Sequence, residues 1–192
     1  MKRLTESELS VGRVKLRTVY IGLGSNLGNK VLAIEAAIEK IKKLENSRFI
    51  TMSGLYETSP IEVEGGSFLN AVAMIETGSE PMTLLETLLC IETSIGRTRK
   101  PGKKGSRLID LDLLLHGNSV IEEKDLILPH PRMLHRRFVM EPLAELAPYL
   151  KIPPTGITAS AVAANLVKSH PEQEIKHLGT LEEAKESLKF EV

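Results

Sequence analysis

Aromatic side chains are scarce in this sequence, with four Phe, three Tyr and no Trp among 192 residues. Each ring that stands beside a polar motif is therefore a candidate ligand contact. One cysteine, Cys90, excludes an intrachain disulfide, and its place in an apolar helical pattern marks it as a small core residue. No long hydrophobic run occurs. The longest, "LDLLL" and "VMEPLAELAPYL", fall well short of the roughly 20 residues a membrane span needs. The opening "MKRLTESELSVGRVKLR" lacks the apolar stretch of a secretory signal, so a cytoplasmic protein is expected, with no membrane partner. Neither sign of charge is in excess: 25 basic residues balance 25 acidic ones, which removes the global field that would draw the chain to nucleic acid. Charge-driven binding must come from local asymmetry. Composition fixes no oligomeric state.

What is present is ordinary globular material, 42% hydrophobic and 26% charged, with a strong succession of patterns. Residues 1–17 are polar and patternless and read as an extension. "TVYIGL" predicts a strand that ends in the turn-rich "GSNLGN". A helix follows, its stripe made by Val31, Ile34, Ile38 and Ile41, with Ala37 and Leu44 alongside. A second strand is expected around Phe49–Tyr56, stopped by "ETSP", and a third at "FLNAVAMIE". Ser79 is expected to cap a second helix with Pro81 in its first turn and Gly96 just past its end. The strand "RLIDLDLLLHG" closes the series. The order strand–helix–strand–strand–helix–strand is that of an α+β, ferredoxin-like βαββαβ core, an antiparallel sheet with helices packed on one face. C-terminal additions follow: a hairpin through "HGNSVIEE", a helix near Glu141–Leu150 with Pro142 early in it, and a weaker helical pattern at Ala159–Lys168. The expected division is an extension at 1–17, a domain at 18–157 and a helical, charged tail at 158–192.

The chemistry concentrates in "IDLDLLL". Alternation along a strand puts Ile109, Leu111, Leu113 and Leu115 on one face and Asp110 and Asp112 on the other, about 6.6 Å apart along the strand. Two carboxylates on one face repel each other unless a cation lies between them, and an all-oxygen pair suits a hard ion such as Mg²⁺. An acidic solvent face would read the same way. Just upstream, "RTRKPGKKGSR" holds six basic residues and no acid. Phosphate-seeking and metal-seeking groups side by side suit a nucleotide triphosphate. Another Mg²⁺-dependent phospho- or nucleotidyltransferase, or an RNA-binding module using the basic loop, would also carry these features. Gly22, Gly24 and Gly28 are spaced GxGxxxG, one residue too long for the dinucleotide fingerprint, and read as turn and close-packing glycines.

"KKGSRLIDLDLL" resembles the signature of the 6-hydroxymethyl-7,8-dihydropterin pyrophosphokinase family of folate biosynthesis. "YIGLGSNLGN", "FLNAV" and "LPHPRMLHRRFVMEPLAELAP" agree in order and spacing, so the likeness covers roughly residues 18–150. It implies a kinase that moves the pyrophosphate of ATP onto the hydroxymethyl group of the reduced pterin and releases AMP. It implies two Mg²⁺ ions held by Asp110 and Asp112, and contacts to ATP from Glu92, Arg97, Arg107, His130 and Arg136. Catalytic roles are implied for Arg97, Arg107, Asp110 and Asp112. On the pterin side it implies Asn70 as the recognising amide, Phe68 and Phe138 as the stacking pair, and loop contacts from Thr58, Ser59 and Ile61. Two positions depart from the pattern: Lys104 stands where some members carry a large aromatic, and Pro131 where some carry tyrosine.

Overall fold

The central strand is made by the residues that alternate most cleanly. In the computed structural model, which describes residues 15–59, 66–96 and 108–189 and side chains as far as 186, β1 (Arg17–Ser25) buries Val19, Ile21 and Leu23 on one face. It pairs antiparallel with β4 (Phe68–Thr77) on one side and β5 (Asp110–His116) on the other. Between β1 and β4 come α1 (Lys30–Ile41), β2 (Ser47–Met52) and β3 (Tyr56–Thr58), and between β4 and β5 lies α2 (Pro81–Ile95). The sheet order β3-β4-β1-β5, with β2 also on β4, is the ferredoxin-like arrangement.

Both helices lay their stripes on the face carrying Ile21, Leu23, Ala71, Ile75, Leu111 and Leu113, with Ile34, Ile38, Ile41, Leu84 and Leu88 fully buried between the layers. Asn29 caps α1, its side-chain oxygen accepting from the Leu32 N–H at 3.1 Å. The cap of α2 differs from expectation. Glu80 holds the N-cap position without a side-chain bond and Pro81 starts the helix, while the Ser79 N–H donates to Thr77 Oγ1 at 3.0 Å. Gly96 ends α2 at φ 115, a left-handed conformation that suits glycine. Cys90 is exposed instead of buried, because it stands on the outer side of α2 between the buried turns at Leu88 and Ile91.

The expected second strand is two strands. β2 pairs with the later half of β4 and β3 with the earlier half, and the register slips first between Phe49 and Thr51, then across Ser53–Leu55. Each extra residue bulges the strand and turns it along the twisted sheet. A similar shift in the β1–β5 ladder places Tyr20 opposite Leu115 and Ile21 opposite Leu113. Leu115 therefore does not share a face with Leu113. It lies with Leu114, Tyr20 and Val72 in a second core on the other side of the sheet.

That second core is closed by C-terminal elements. The hairpin falls later than expected, as β6 (Ile121–Glu122) and β7 (Ile127–Leu128). A short 3-10 turn, Met133–His135, leads into α3 (Arg137–Leu146), which begins four residues before Glu141 and holds Pro142 in its interior. After the two-residue strands β8 (Lys151–Ile152) and β9 (Ile157–Thr158), α4 (Ala159–Ser169) packs on α3, capped by Thr158. The segment expected as a tail goes on to add β10 (Ile175–His177) to the sheet edge beside β3, and α5 (Leu181–Lys189) against α1. Among the described residues no helix is long and apolar enough to cross a membrane.

Candidate active site

Two glycines on the central strand create the space for the site. Gly24 pairs with Asn70 on β4 and with Asp110 on β5, and Gly22 pairs with Val72 and Asp112. Directly paired residues point to the same face, so both aspartates and Asn70 flank a strip of bare backbone. With strands about 4.8 Å apart, β4 and β5 stand roughly 9.6 Å from each other across it. A Cβ at Gly24 would touch Asn70 Oδ1 at 3.4 Å, and one at Gly22 would touch Leu114 at 3.4 Å. Gly22 and Gly24 are thus strand residues that keep a trough open, not turn residues. Gly28, at φ 63, does make a turn.

One wall of the trough is acidic and edged with cations. Asp110 and Asp112 fall on one strand face, as alternation requires, ahead of the register shift at Leu114. Burial holds the Asp112 carboxyl above its ordinary pKa, and the Asp110 charge raises it further, against opposing pulls from His130, Arg136 and Arg132. His130 Nε2 and Arg136 Nη1 each lie 3.9 Å from Asp112 Oδ2, longer than a direct hydrogen bond. The His130 backbone N–H donates to Leu114 O at 2.9 Å, and the Arg132 N–H donates to His130 Nδ1 at 3.2 Å. In the neutral ring this assigns the proton to Nε2, facing Asp112. Burial lowers the His130 pKa, while Asp112 pulls it up.

Glu92 is placed differently from the other expected nucleotide contacts. It is 1% exposed on α2, and its Oε1 accepts from the Leu111 N–H at 2.7 Å. β5 is a sheet edge, so this N–H has no strand partner on that side, and Glu92 supplies one midway between the two aspartates.

The opposite wall is built on β3 and β4. The buried Asn70 donates from Nδ2 to Thr58 Oγ1 at 3.0 Å and toward Tyr56 O at 3.5 Å, which leaves Oδ1 over Gly24 as an acceptor. Phe68 pairs with Thr58 and shares the Asn70 face, and it belongs to neither described core. Phe138, in the first turn of α3, packs on the second core and lies under the Arg136 guanidinium at 5.3 Å. A cavity of about 600 Å³ between β3, β10 and the start of α3 has Thr58, Ser59 and Arg137 in its lining.

Further residues steady this wall. Tyr56 donates its hydroxyl to Glu145 Oε2 at 2.8 Å, and Glu145 Oε1 also accepts from the Gly54 N–H at 2.9 Å. Burial, then the Glu145 charge, pushes the Tyr56 phenol well above its usual pKa. On the other side, Lys30 Nζ donates to Ser67 Oγ at 2.8 Å, and Ser67 Oγ donates to Glu57 Oε1 at 2.6 Å. Arg132, Tyr56 and Glu145 were not anticipated. Arg132 alone carried a signal, the basic cluster "PRMLHRR".

The structure thus brings Thr58, Phe68, Asn70, Asp110, Asp112, His130, Arg136 and Phe138 to one face and its rim, with Ser59 at the adjoining cavity and Glu92 behind the strand. Ile61, Arg97, Arg107, Lys104 and the rest of the basic loop lie outside the described residues. Among the described residues no three His, Cys, Asp or Glu side chains gather as a closed metal cage. An aspartate pair on an open trough instead suits a hard cation whose shell is completed by phosphate and water.

The family model for 7,8-dihydro-6-hydroxymethylpterin-pyrophosphokinase matches residues 20–148. The 2-amino-4-hydroxy-6-hydroxymethyldihydropteridine pyrophosphokinase of Haemophilus influenzae is 40% identical over 146 residues, which are 76% of this chain and 91% of that protein. The enzyme of the same name from Pseudomonas aeruginosa is 38% identical over 139 residues, 72% of this chain and 85% of that one. Folic acid synthesis protein fol1 of Pneumocystis carinii is 40% identical over 78% of this chain, which spans only 20% of that longer protein. In three dimensions the chain resembles wild-type Plasmodium falciparum HPPK-DHPS, with a TM-score of 0.68 at 16% identity, over 82% of this chain and 46% of that one. That likeness carries the fold. With the family model spanning the trough and both its walls, the chain belongs to the 7,8-dihydro-6-hydroxymethylpterin-pyrophosphokinase family.

Proposed function

We propose that this chain transfers the pyrophosphate of ATP to the hydroxymethyl group of 6-hydroxymethyl-7,8-dihydropterin, in the cytoplasm, as a step of folate biosynthesis. The observation that carries the reading is the row Asn70–Gly24–Asp110, which sets an amide acceptor and a carboxylate on opposite sides of a bare strand. Asn70 Oδ1 accepts an N–H from the polar edge of the pterin, its own amide being held by Thr58. Phe68 and Phe138 bound the flat ring, and Thr58, Ser59 and Ile61 line its approach. The triphosphate lies toward Asp112, where Arg136 and His130 stand, with Arg97 and Arg107 joining from the basic loop. Glu92 acts from behind, fixing the strand between the two aspartates.

In the reaction the hydroxymethyl oxygen attacks the β-phosphorus in line. The new O–P bond forms as the bond to the AMP oxygen breaks, and the hydroxyl proton leaves to solvent. Two Mg²⁺ ions held by Asp110 and Asp112 supply neutralisation of the phosphate oxygens and a more acidic hydroxyl. The side chains hold the acceptor oxygen and the phosphorus at attack distance and balance charge on the transferring group. Product analysis tests the reading: AMP and the pterin diphosphate should appear together, only when ATP, Mg²⁺ and the pterin are all supplied. ADP in place of AMP, or AMP without the pterin, would overturn it.

A further inference from the structure

Gln173 lies beyond residues 20–148 that the family model matches, and it is among none of the expected site residues. Its Oε1 accepts from the Arg137 N–H at 2.9 Å, and its Nε2 donates to His135 O at 3.0 Å. Its main-chain oxygen accepts from Arg137 Nη1 at 2.8 Å. The side chain thus grips the peptide groups on both sides of Arg136. Arg136 is the N-cap of α3 and makes no capping bond of its own, so the first helical N–H takes its acceptor from 36 residues away. Arg136 is also the residue that reaches toward Asp112 and covers the Phe138 ring.

Two residues past Gln173 the chain enters β10, where Ile175 pairs with Thr58. Thr58 is the residue that orients Asn70. One short segment therefore touches both walls of the trough, the Arg136–Phe138 turn directly and the Asn70 wall through β3. Next to it, His177 meets Tyr56 edge to face, with ring centroids 4.9 Å apart. Nothing in the 20–148 core performs this cross-bracing between the described walls at the level of the 3-10 turn.

We propose that Gln173 is a positioning residue that sets the Arg136–Phe138 turn against the Asn70 wall and so governs acceptor binding. The inference rests on the pterin reading given above. A displacement of about 1 Å in groups that orient a substrate can cost on the order of 100-fold in rate, so a side chain that touches no substrate can still set KM.

The test is steady-state kinetics on the full chain at 25 °C, with thermal melts in parallel. Gln173→Met keeps length and volume but removes donor and acceptor. Its pterin KM should rise about tenfold, with kcat changed much less. Thr158→Ala is the matched control, since Thr158 caps α4 in the same way, accepting from the Ala161 N–H at 3.3 Å, far from the trough walls. It should lower the melting temperature comparably and leave pterin KM within twofold. Gln173→Glu retains the acceptor for Arg137 and so the cap, losing only the donor to His135. It should melt near wild type with pterin KM raised about fivefold, and it carries the test if Gln173→Met does not fold. An active wild type with both Gln173 variants within twofold in KM, or with Thr158→Ala matching their rise, would overturn the inference alone. A wild type that forms no AMP with the pterin would overturn the pterin reading and this inference with it.

Discussion

Asp112 is a carboxylate that the fold holds at a disadvantage. Its side chain is 36% exposed, yet burial and the neighbouring Asp110 keep its pKa above the ordinary 3.8. A folded pKa raised above the unfolded one means the native state binds the proton more tightly. The associated stability is complete below the unfolded pKa and is lost as pH rises through the folded value. At neutral pH, without metal, the ionised side chain therefore weakens the fold. Asp112→Asn should melt at the same temperature as wild type or higher at pH 7, with the difference closing as pH falls below the carboxylate range. Mg²⁺ with ATP should raise the melting temperature of wild type and fail to raise that of the variant. Turnover should fall by at least about 100-fold, given the several kcal/mol that a bound metal contributes to phosphoryl transfer. A variant that melts lower without metal, or that responds to Mg²⁺–ATP as wild type does, would count against this assignment. The same residue shows what was readable in advance. That Asp110 and Asp112 share a face follows from strand alternation alone. That His130 and Arg136 stand beside them depends on a chain reversal through Pro129 and Pro131, which no local pattern encodes.

Among the elements, β1 combines the two properties the site needs, a rigid place between β4 and β5 and a surface without side chains. Glycine usually weakens a strand, so two of them at the centre of the sheet are explained by what they leave empty. Gly24→Val should fold, since a Cβ there meets only Asn70 Oδ1 at 3.4 Å and valine favours strands. Its melting temperature should stay equal to wild type or rise. The branched side chain would occupy the trough between Asn70 and Asp110, and kcat/KM for the pterin should drop by more than about tenfold, or at least 1.4 kcal/mol. Kinetics beside a melting curve separates the two effects, and retained activity would mean the pterin lies elsewhere. The strand glycines were visible in the sequence but pointed to a turn, because "GSNLGN" carries every local turn signal. The shift at Leu114 was invisible for a different reason. Leu113, Leu114 and Leu115 are all apolar, so the sequence contains nothing that distinguishes one face from the other. Pro142 misled in the same local way: proline early in a helix is the common case, and tertiary packing of Val139, Met140 and Leu143 on the second core carries α3 through it.

Across the whole molecule, the βαββαβ core was legible because long periodic segments specify it, whereas the edge closure was not. β10 is three residues of mixed character, Ile175, Lys176 and His177, and only β3 makes it a strand. It covers the edge of β3, and the chain is tied further by the Leu55 N–H donating to Gly179 O at 2.7 Å. Beyond Thr180, α5 adds Leu181 and Ala184 to the first core and an ion pair from Lys185 to Glu35. These two parts do different things, and truncation separates them. A chain ending at Thr180 loses α5 alone. It should lose roughly 1–3 kcal/mol, mostly apolar contact, since an ion pair near the surface adds little. Its pterin KM should stay within twofold of wild type, because β10 and the bonds of Gln173 remain. A chain ending at His170 also loses β10, Gln173 and the lock on Leu55. It exposes the unpaired edge of β3 while freeing both walls of the trough, so it should associate at micromolar concentration and lose pterin affinity together. Light scattering and calorimetry with the pterin would read these outcomes. Equal pterin affinity in both truncated chains would show that the edge strand serves stability only, and that the core holds its own substrate walls in place.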